Sequence, residues 1–436
     1  MEYSLTGALP DDLSYAPKAP GAPSRAFRMV VGPLNSGAQN PGDIMRFDVP
    51  VGRPNAFIDT DNTYLLFQVK STGAATPTND LTIQGSAYCF FNRLTVLSQG
   101  QVLEDIQNYN VLCNALLDVQ MGAVDAATTG SVHLGTGTDS AQSQNIVKFG
   151  QSITANGGVK EFALPLALSG VLGSGCSKYL PVQKVNDLRL ELVLETVINS
   201  VVGTSPNWQI LQPQLVLQYV EIEPHMAAEL ERATGGRYLV STTSWRNYSS
   251  VLSTASRTAD SILIPARYSS LRTLLSVWRN NTNISDGTKY NQIARVNPFY
   301  GGTSGLTSSI QWSIGSVLVP QSPLRFGTAE TFLATQQAFH QLSSITNGTR
   351  CYLANWNQNA YGDTATYTPG TFVLAQNFDS FMNKSSTMTV GMNTINSPIF
   401  LNCTYAQATT EPHRVDTWSH FDMVLDISDA GLVARY

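Results

Sequence analysis

The feature that most constrains the fold is a period of two in the hydrophobic residues of many short segments. The clearest example is DLRLELVLETV at residues 187–197, where leucines occupy alternate positions and Arg189, Glu191 and Glu195 lie on the opposite face. Successive side chains of a β-strand point to opposite faces of a sheet. The pattern therefore predicts an antiparallel strand with one buried face and one solvated face.

Segments of the same character fill both halves of the chain. In the first half they cover residues 45–49, 65–69, 162–168 and 214–223. In the second half there are eight segments bounded by Gly, Pro, Asn or Ser: RYLVSTTSW, SILIPA, SLRTLLSVW, SIQWSIGSVLVP, TFVLAQNF, TMTVGMN, SPIFLNCTY and HFDMVLDIS. Such segments are typical of strands. With a comparable number in the first half, the sequence predicts an all-β chain of two β-sandwiches.

Two other segments set the boundaries of these sandwiches. Residues 1–24 contain four prolines and little hydrophobic periodicity, which predicts an extended N-terminal arm. Residues 224–236 are rich in helix formers and end in two glycines, which predicts a helical connector. The first sandwich is therefore expected at residues 25–223 and the second at residues 237–436.

Each half also carries one predicted helix among its strands. The apolar residues of positions 111–119 form a single helical stripe, and Asn108 and Asn110 are candidate N-caps. Residues 328–342 predict the second helix, with Thr328 as a candidate N-cap. The parallel placement of the two helices suggests a duplicated architecture.

The composition favours a protein that packs against copies of itself. Hydrophobic residues make up 42% of the chain and charged residues only 13%, about half the share usual in soluble proteins. Uncharged polar groups cost less to bury at an interface than ions do. The formal net charge is −5, and the 26 Lys and Arg residues form no dense cluster, so specific nucleic-acid binding is not expected.

The cysteines and the N-terminus bear on the cellular compartment. The five cysteines are odd in number, far apart and without a C-x-x-C pair: Cys89, Cys113, Cys176, Cys351 and Cys403. This spacing predicts neither a zinc site nor a disulfide framework and favours a reducing compartment. The sequence shows no pattern of a signal peptide and no apolar window long enough to span a membrane.

The sequence predicts no catalytic, cofactor or metal site. The histidines His133, His225, His340, His413 and His420 form no H-x-x-x-H pair. His413 and His420 flank Asp416, but such a spacing is more typical of surface or loop residues than of metal ligands. DTDNT at residues 59–63 lacks the glycine and glutamate of an EF-hand and predicts a polar turn. GVLGSGCSK at residues 170–178 lacks the features of a phosphate loop and predicts a loop between strands.

One further segment places charges beside aromatic residues. FFNRLTVLSQGQVLEDIQNYNVL at residues 90–112 predicts a strand, a turn at Gln99-Gly100, a second strand and the start of a helix. Arg93, Glu104 and Asp105 lie within it. Adjacent acids in a strand face opposite sides, so these charges are expected to orient elements or form an interface rather than to catalyse.

Several ordered motifs extend from about residue 25 to the C-terminus. The first half contains VVGPLNSGAQNPGDIMRFDVPVGRPNAFIDTDNTYLLFQVK, in which a Gly-Arg-Pro turn leads to an N-T-Y-L strand, and then L-E-D-I-x-x-Y-N-V-L. The second half contains SIQWSIGSVLVPQSPL, TFVLAQNFDSF, MTVGMNTINSPIFL and FDMVLDIS. Together these motifs resemble the major capsid proteins of the double jelly-roll lineage, especially those of polinton-like viruses and virophages.

The resemblance implies a fold and a role. The fold is two consecutive eight-stranded jelly rolls with short inserted helices, standing perpendicular to a capsid shell. The role is that of a major capsid protein, not an enzyme, whose homotrimers form pseudo-hexameric capsomers of an icosahedral double-stranded DNA virus. The implied partners are neighbouring capsomers, single jelly-roll penton proteins and minor capsid proteins. The protein would be made and assembled inside the host cell and reside in the virion.

Other functions fit parts of the sequence. Capsid proteins of single-stranded RNA viruses commonly carry a cationic arm, whereas residues 1–24 contain only Lys18 against Glu2, Asp11 and Asp12. A lectin-like viral receptor-binding sandwich would place aromatic residues in turns, but most large aromatic residues here lie in predicted strands. A jelly-roll enzyme such as a cupin would need clustered His and Glu ligands.

Overall fold

The computed structural model describes residues 21, 23–35, 37–72, 80–137, 149–201, 207–282, 293–300, 307–325, 328–339, 348–357, 370–380 and 389–436. The predicted N-terminal arm lies outside these residues except for positions 21, 23 and 24, so its conformation remains a prediction.

The first half of the described chain forms two facing antiparallel sheets. Its strands are β1 (Ser24–Val31), β2 (Ile44–Asp48), β3 (Ala56–Ser71), β4 (Leu81–Gln84), β5 (Phe91–Ser98), β6 (Gln101–Gln107), β7 (Phe149–Ile153), β8 (Val159–Pro165), β9 (Leu180–Pro181), β10 (Arg189–Leu194) and β11 (Trp208–Ile222). One sheet has the order β1-β11-β3-β8, with β9 paired to β3, and the other has the order β2-β10-β5-β6. Strands β4 and β7 form a separate pair. We call this half roll 1.

The second half repeats the same arrangement. Its strands are β12 (Tyr238–Leu252), β13 (Ala259–Ile264), β14 (Leu271–Asn280), β15 (Ser309–Ile314), β16 (Val317–Arg325), β17 (Leu374–Asn377), β18 (Ile399–Thr404), β19 (His413–Ser428) and β20 (Gly431–Arg435). The sheets have the orders β12-β19-β14-β17, with β20 on β19, and β13-β18-β15-β16. We call this half roll 2.

The two strand orders match position by position. Strands β1, β2, β3, β5, β6, β8, β10 and β11 of roll 1 correspond in chain order to β12 through β19 of roll 2. In each roll the first, last, third and sixth of these strands form one sheet and the other four form its partner. This is the strand order of a jelly roll, so the predicted fold of two consecutive eight-stranded jelly rolls is confirmed.

Helices occupy the connections between strands. Roll 1 contains α1 (Tyr109–Gln120), α2 (Ala123–Ala127), α3 (Thr129–His133) and α4 (Val197–Ser200); α5 (Pro224–Thr234) joins the rolls; roll 2 contains α6 (Thr328–Ala338) and α7 (Leu353–Trp356). Helix α5 ends at Gly235, whose φ of 64° suits glycine. The predicted connector and the two inserted helices are therefore present, although residues 340–342 of the last prediction lie outside the described chain.

The alternating residues supply the core of each roll. In β10, Leu190, Leu192 and Leu194 are buried while the residues between them are partly exposed. In roll 1 the Phe67 ring makes edge contacts with Phe90 and Phe91. The large buried side chains of roll 2 include Trp278, Trp312 and Trp418. Burial of such side chains supplies most of the stabilisation of a sandwich.

Two strand predictions in roll 2 are wrong. One predicted strand is in fact two strands, and another forms no strand in its described residues, so the predicted number of strands is unchanged. SIQWSIGSVLVP was expected to be one strand but forms β15 and β16, which turn at Gly315 with a φ of 59°. TMTVGMN was expected to be a strand, but its described residues make only one bridge, between Met392 and Leu271. At this bridge Gly391 lies so close to the backbone of β14 that a Cβ added to it would be 2.3 Å from the Leu271 carbonyl oxygen.

The DTDNT segment is also not a turn. Residues 59–63 lie inside the long strand β3, but the pairing with β11 jumps from Asp59 to Tyr64. The polar side chains occupy this irregularity, where Asn62 Nδ2 donates to Asp59 Oδ2 (2.8 Å). Polar residues with turn character are tolerated here because the ladder is locally interrupted.

Candidate functional site: the seam between the jelly rolls

The polar side chains singled out in the sequence meet where roll 1 packs against roll 2. Strand β6 is the outer strand of its sheet and contacts β12, and α1 follows β6 directly. The two strands of the β5–β6 hairpin turn at Gln99-Gly100, with φ values of 51° and 77°, as predicted. We define the seam as β6, α1 and the loop of residues 166–178 on the roll 1 side, with the roll 2 residues that they contact.

Glu104 is buried at the centre of the seam. Its Oε1 accepts hydrogen bonds from Ser244 Oγ of roll 2 (2.5 Å) and from the Gly170 amide (2.8 Å), and its Oε2 accepts one from Ser169 Oγ (2.7 Å). Burial raises the pKa of Glu104, although these hydrogen bonds oppose the shift. The carboxylate thus joins a strand and a loop of roll 1 to the first strand of roll 2.

The glycine-rich loop of residues 170–178 forms the second part of the seam. Ser177 N donates to the Ser241 carbonyl oxygen of β12 (3.0 Å), and Thr242 Oγ1 donates to the Gly170 carbonyl oxygen. A Cβ at Gly170 would lie 2.1 Å from the Thr243 carbonyl oxygen. The predicted loop is confirmed, and its glycine permits backbone to approach backbone.

The start of α1 forms a third contact. Asn108 was a candidate N-cap, but its φ is 48° and its side chain makes no capping hydrogen bond. Its Nδ2 instead donates across the seam to Asn247 Oδ1 (3.2 Å) and Asp416 Oδ1 (3.4 Å). Asn110 lies inside the helix, where its Oδ1 accepts from the Val111 amide (2.8 Å). Asn108 therefore occupies the N-cap position as predicted, but it makes no capping hydrogen bond because its side chain bonds to roll 2, and Asn110 is not the cap.

Asp416 is itself held by two arginines of roll 2. Arg279 Nη2 lies 2.5 Å from Asp416 Oδ2, and Arg414 Nε lies 3.2 Å from Asp416 Oδ1. Burial alone would raise the pKa of Asp416, but the charges of Arg279 and Arg414 outweigh it and hold this pKa below its usual value. Asp416 therefore remains ionised and serves the packing of the seam.

The C-terminal end of α1 makes the most buried ionic contact. The Asp118 carboxylate pairs with Arg295 and lies 3.8 Å from Arg350 Nη1. The Asp118 carbonyl oxygen accepts from the Arg350 amide (2.9 Å) and from Thr349 Oγ1 (3.1 Å). Both arginines belong to roll 2, so one helix turn of roll 1 is bound by two separated segments of roll 2.

Two of the histidines noted in the sequence have structural partners, and His340 lies outside the described residues. His413 Nδ1 accepts from Arg257 Nη2 (2.9 Å), and His420 stacks on Trp245 at 4.4 Å. Asp416, which the sequence places between them, is bound by the arginines described above. Among the described residues no group of His, Cys, Asp or Glu could hold a metal ion. Arg93 makes a two-point contact with Asp105 (2.6 and 2.8 Å) on the outer side of the β5–β6 hairpin.

A polar cleft of about 480 Å³ opens beside the seam. The charged residues of its lining are Arg93, Glu195, Arg279 and Arg414. Glu195 Oε2 accepts from Asn92 (2.6 Å) and Asn110 (2.8 Å), and the arginines pair with Asp105 and Asp416. Each of these four described charges therefore has a hydrogen-bond or ion-pair partner.

The sequence did not identify Asp118, Arg295 or Arg350. Asp118 precedes Arg295 by 177 residues, and nothing in the local pattern of either residue signals the other. A charged residue inside an otherwise apolar helical stripe is the one available signal, because Asp118 would be unfavourable there without a buried partner. None of the described helices is long and apolar enough to span a membrane.

Comparison with known proteins identifies the fold. No protein-family model and no curated protein sequence matches the chain. The solved structures similar to this chain include a chain of the PBCV-1 virus capsid, with a TM-score of 0.61, 12% sequence identity and coverage of 97% of this chain and 98% of that chain. A chain of the Sputnik virophage has a TM-score of 0.57, 13% identity and coverage of 99% of this chain and 92% of that chain. The Faustovirus major capsid protein has a TM-score of 0.56, 11% identity and coverage of 97% of this chain and 93% of that chain.

These similarities extend over nearly the whole of each chain, so they include both rolls and the connection between them. The protein has the double jelly-roll fold of these capsid chains. The resemblance predicted from the sequence motifs is thus confirmed at the level of the fold.

Proposed function

We propose that the protein is a major capsid protein whose three copies form a pseudo-hexameric capsomer. The observation that carries this proposal is an asymmetry between the rolls. Within the chain, β6 of roll 1 contacts β12 of roll 2. The corresponding strands, β16 of roll 2 and β1 of roll 1, are mostly exposed.

The exposed strands are outer strands of their sheets. Among the described strands, β16 pairs only with β15, and β1 pairs only with β11. An uncovered outer strand presents unpaired backbone groups that favour association. β16 adds the exposed apolar side chains of Val317 and Leu318, and β1 adds that of Val30. In the capsomer, β16 of one copy would contact β1 of the next copy in the same way that β6 contacts β12 within one chain. The seam would then be repeated between chains.

In a contact of this kind, one surface of each chain binds a different surface of the next chain. Such contacts close into a ring when the rotation from one chain to the next is a whole fraction of a full turn. Six jelly rolls in a ring correspond to three chains. The exposed outer strands support such a homotrimer, and its near six-fold outline would suit the tiling of an icosahedral shell.

The proposal extends to the biological setting. The similarity to capsid chains of the PBCV-1 virus and the Sputnik virophage supports a double-stranded DNA virus of the polinton-like or virophage type. In that setting the protein resides in the virion shell, contacts neighbouring capsomers, penton proteins and minor capsid proteins, and has no catalytic role. The domain boundaries at residues 25, 223 and 236 belong to the same proposal.

Size-exclusion chromatography with light scattering, followed by negative-stain electron microscopy, tests the proposal. We expect a mass of three chains and particles with a near-hexagonal outline. A stable monomer at micromolar concentration would contradict it and would favour a receptor-binding sandwich instead.

A further inference from the structure

Helices α1 and α6 occupy corresponding places, after β6 and after β16, but they differ in how they are covered. Every residue of α1 except Leu117 and Gln120 is buried. One side of α1 packs on its own roll, and the other meets roll 2 through Asp118. Roll 2 also comes close to Gly85 of roll 1, since a Cβ added there would lie 2.8 Å from Ile293 as well as 2.6 Å from Asn114 Oδ1 of α1.

Helix α6 packs on its own roll but leaves part of its surface exposed. Thr331, Thr335 and Ala338 are buried against roll 2, where Thr335 Oγ1 donates to the Val373 carbonyl oxygen (3.2 Å). Ala329, Leu333 and Gln337 are spaced four residues apart and are all exposed. Side chains at this spacing lie on one face of a helix, so α6 has an open stripe with Leu333, which is 47% exposed, at its centre.

The segment that covers α1 indicates what should cover α6. The Asp118 turn of α1 contacts residues 348–351, which follow α6 in roll 2. The corresponding segment of roll 1 follows α1 and contains α2 and α3. It carries Val132 and Val124, with exposed fractions of 78% and 75%, the highest among the exposed large hydrophobic residues of the described chain.

We propose that the open stripe of α6 binds the α2–α3 segment of a second copy, with Leu333 packed against Val132 or Val124. The proposal rests on the capsomer described above and assigns part of its inter-chain contact. The contact inside the chain is ionic, between Asp118 and the arginines of roll 2, whereas the contact between chains is apolar. An apolar contact lets copies associate without burying unpaired charges before assembly.

A double variant, Leu333→Cys with Val132→Cys, tests the contact by cross-linking with a short bismaleimide. We expect chains covalently linked into dimers and trimers on a denaturing gel. Each single-cysteine variant and the unsubstituted protein should remain monomeric on the same gel, because the native cysteines are buried or half-buried.

Leu333→Asp gives an independent measurement, since a charge on the stripe would be buried in the contact. We expect it to raise the trimer dissociation constant about tenfold or more, whereas Met226→Asp, at an exposed apolar position of helix α5, should leave it unchanged. If the unsubstituted protein is monomeric, the capsomer itself is wrong. If it is trimeric but the double variant does not cross-link and Leu333→Asp has no effect, only the α6 contact is overturned.

Discussion

At the residue scale, Glu104 makes the seam sensitive to pH. Because the pKa of Glu104 is raised in the folded state, the folded protein binds a proton at this group more readily than the unfolded chain does. The associated stability is present below the unfolded pKa of about 4.3 and is lost as the pH rises through the folded pKa. Burial causes this direction, although hydrogen bonds from Ser244, Gly170, Ser169 and Val171 oppose it.

We therefore expect Glu104→Gln, which cannot titrate, to gain stability relative to the unsubstituted protein as the pH rises from about 4 to 7. Urea unfolding across this range measures the difference in the free energy of unfolding. A difference that stayed constant, or changed in the opposite direction, would show that the carboxyl pKa is not raised. Glu191→Gln, on the partly exposed face of β10, is the control.

His413 predicts the opposite pH dependence. Burial, with the charge of Arg257 as a second cause, lowers the pKa of His413 from 6.5 to about 4. The unfolded chain takes up a proton below about pH 6.5, so stability is present above that value and is lost as the pH falls toward 4, by about 3 kcal/mol at most. In His413→Asn, whose amide oxygen can still accept from Arg257, this loss should disappear from the unfolding curve between pH 6.5 and 4.

At the scale of elements, the loop of residues 166–178 is the part of the seam most sensitive to added volume. Gly170→Ala places a Cβ against the Thr243 carbonyl oxygen and forces the loop away from β12. We expect this to cost about 1–3 kcal/mol and to increase hydrogen exchange at Ser177, whose amide bonds to β12. Gly32→Ala is the matched control, because a Cβ there meets nothing within 4 Å. If the two substitutions lowered stability and raised hydrogen exchange at Ser177 equally, the close approach at Gly170 would not be the cause.

The sequence predicts elements better than it predicts their contacts. The alternation in β10 and the Gln99-Gly100 turn are local signals, and both are confirmed. The contact between Glu104 and Ser244 joins residues 140 positions apart, and it depends on how two sheets pack. Asn108 occupies the predicted N-cap position but makes no capping hydrogen bond for the same reason, since its side chain bonds to partners in roll 2. TMTVGMN fails because alternation alone does not provide a neighbouring strand.

At the scale of the whole molecule, the N-terminal arm offers a test of assembly. We expect that residues 1–20 tie neighbouring capsomers together beneath the shell. Their removal leaves β1 complete, since it begins at Ser24, so trimers should form normally. Assembled particles should break apart at a lower temperature, as measured by light scattering. Particles as stable as those of the full chain would show that the arm is not a tie.

The seam also determines whether the two rolls unfold together. Asp118 is an acidic partner of both Arg295 and Arg350, and both arginines are buried. Removing one partner of a buried pair leaves an uncompensated charge and typically costs about 3–5 kcal/mol. Because the pair links α1 to roll 2, that loss falls on the coupling between rolls rather than on either core.

We therefore expect the unsubstituted protein to unfold in one calorimetric transition and Asp118→Asn to unfold in two, with increased hydrogen exchange at α1 and at residues 348–351. Asp48→Asn is the control, because Asp48 pairs with Arg189 at 2.8 Å on the surface, where such a pair contributes about 1 kcal/mol or less. A single transition in Asp118→Asn, shifted no more than that of Asp48→Asn, would mean that backbone packing along β6 and β12 couples the rolls without the buried ion pair.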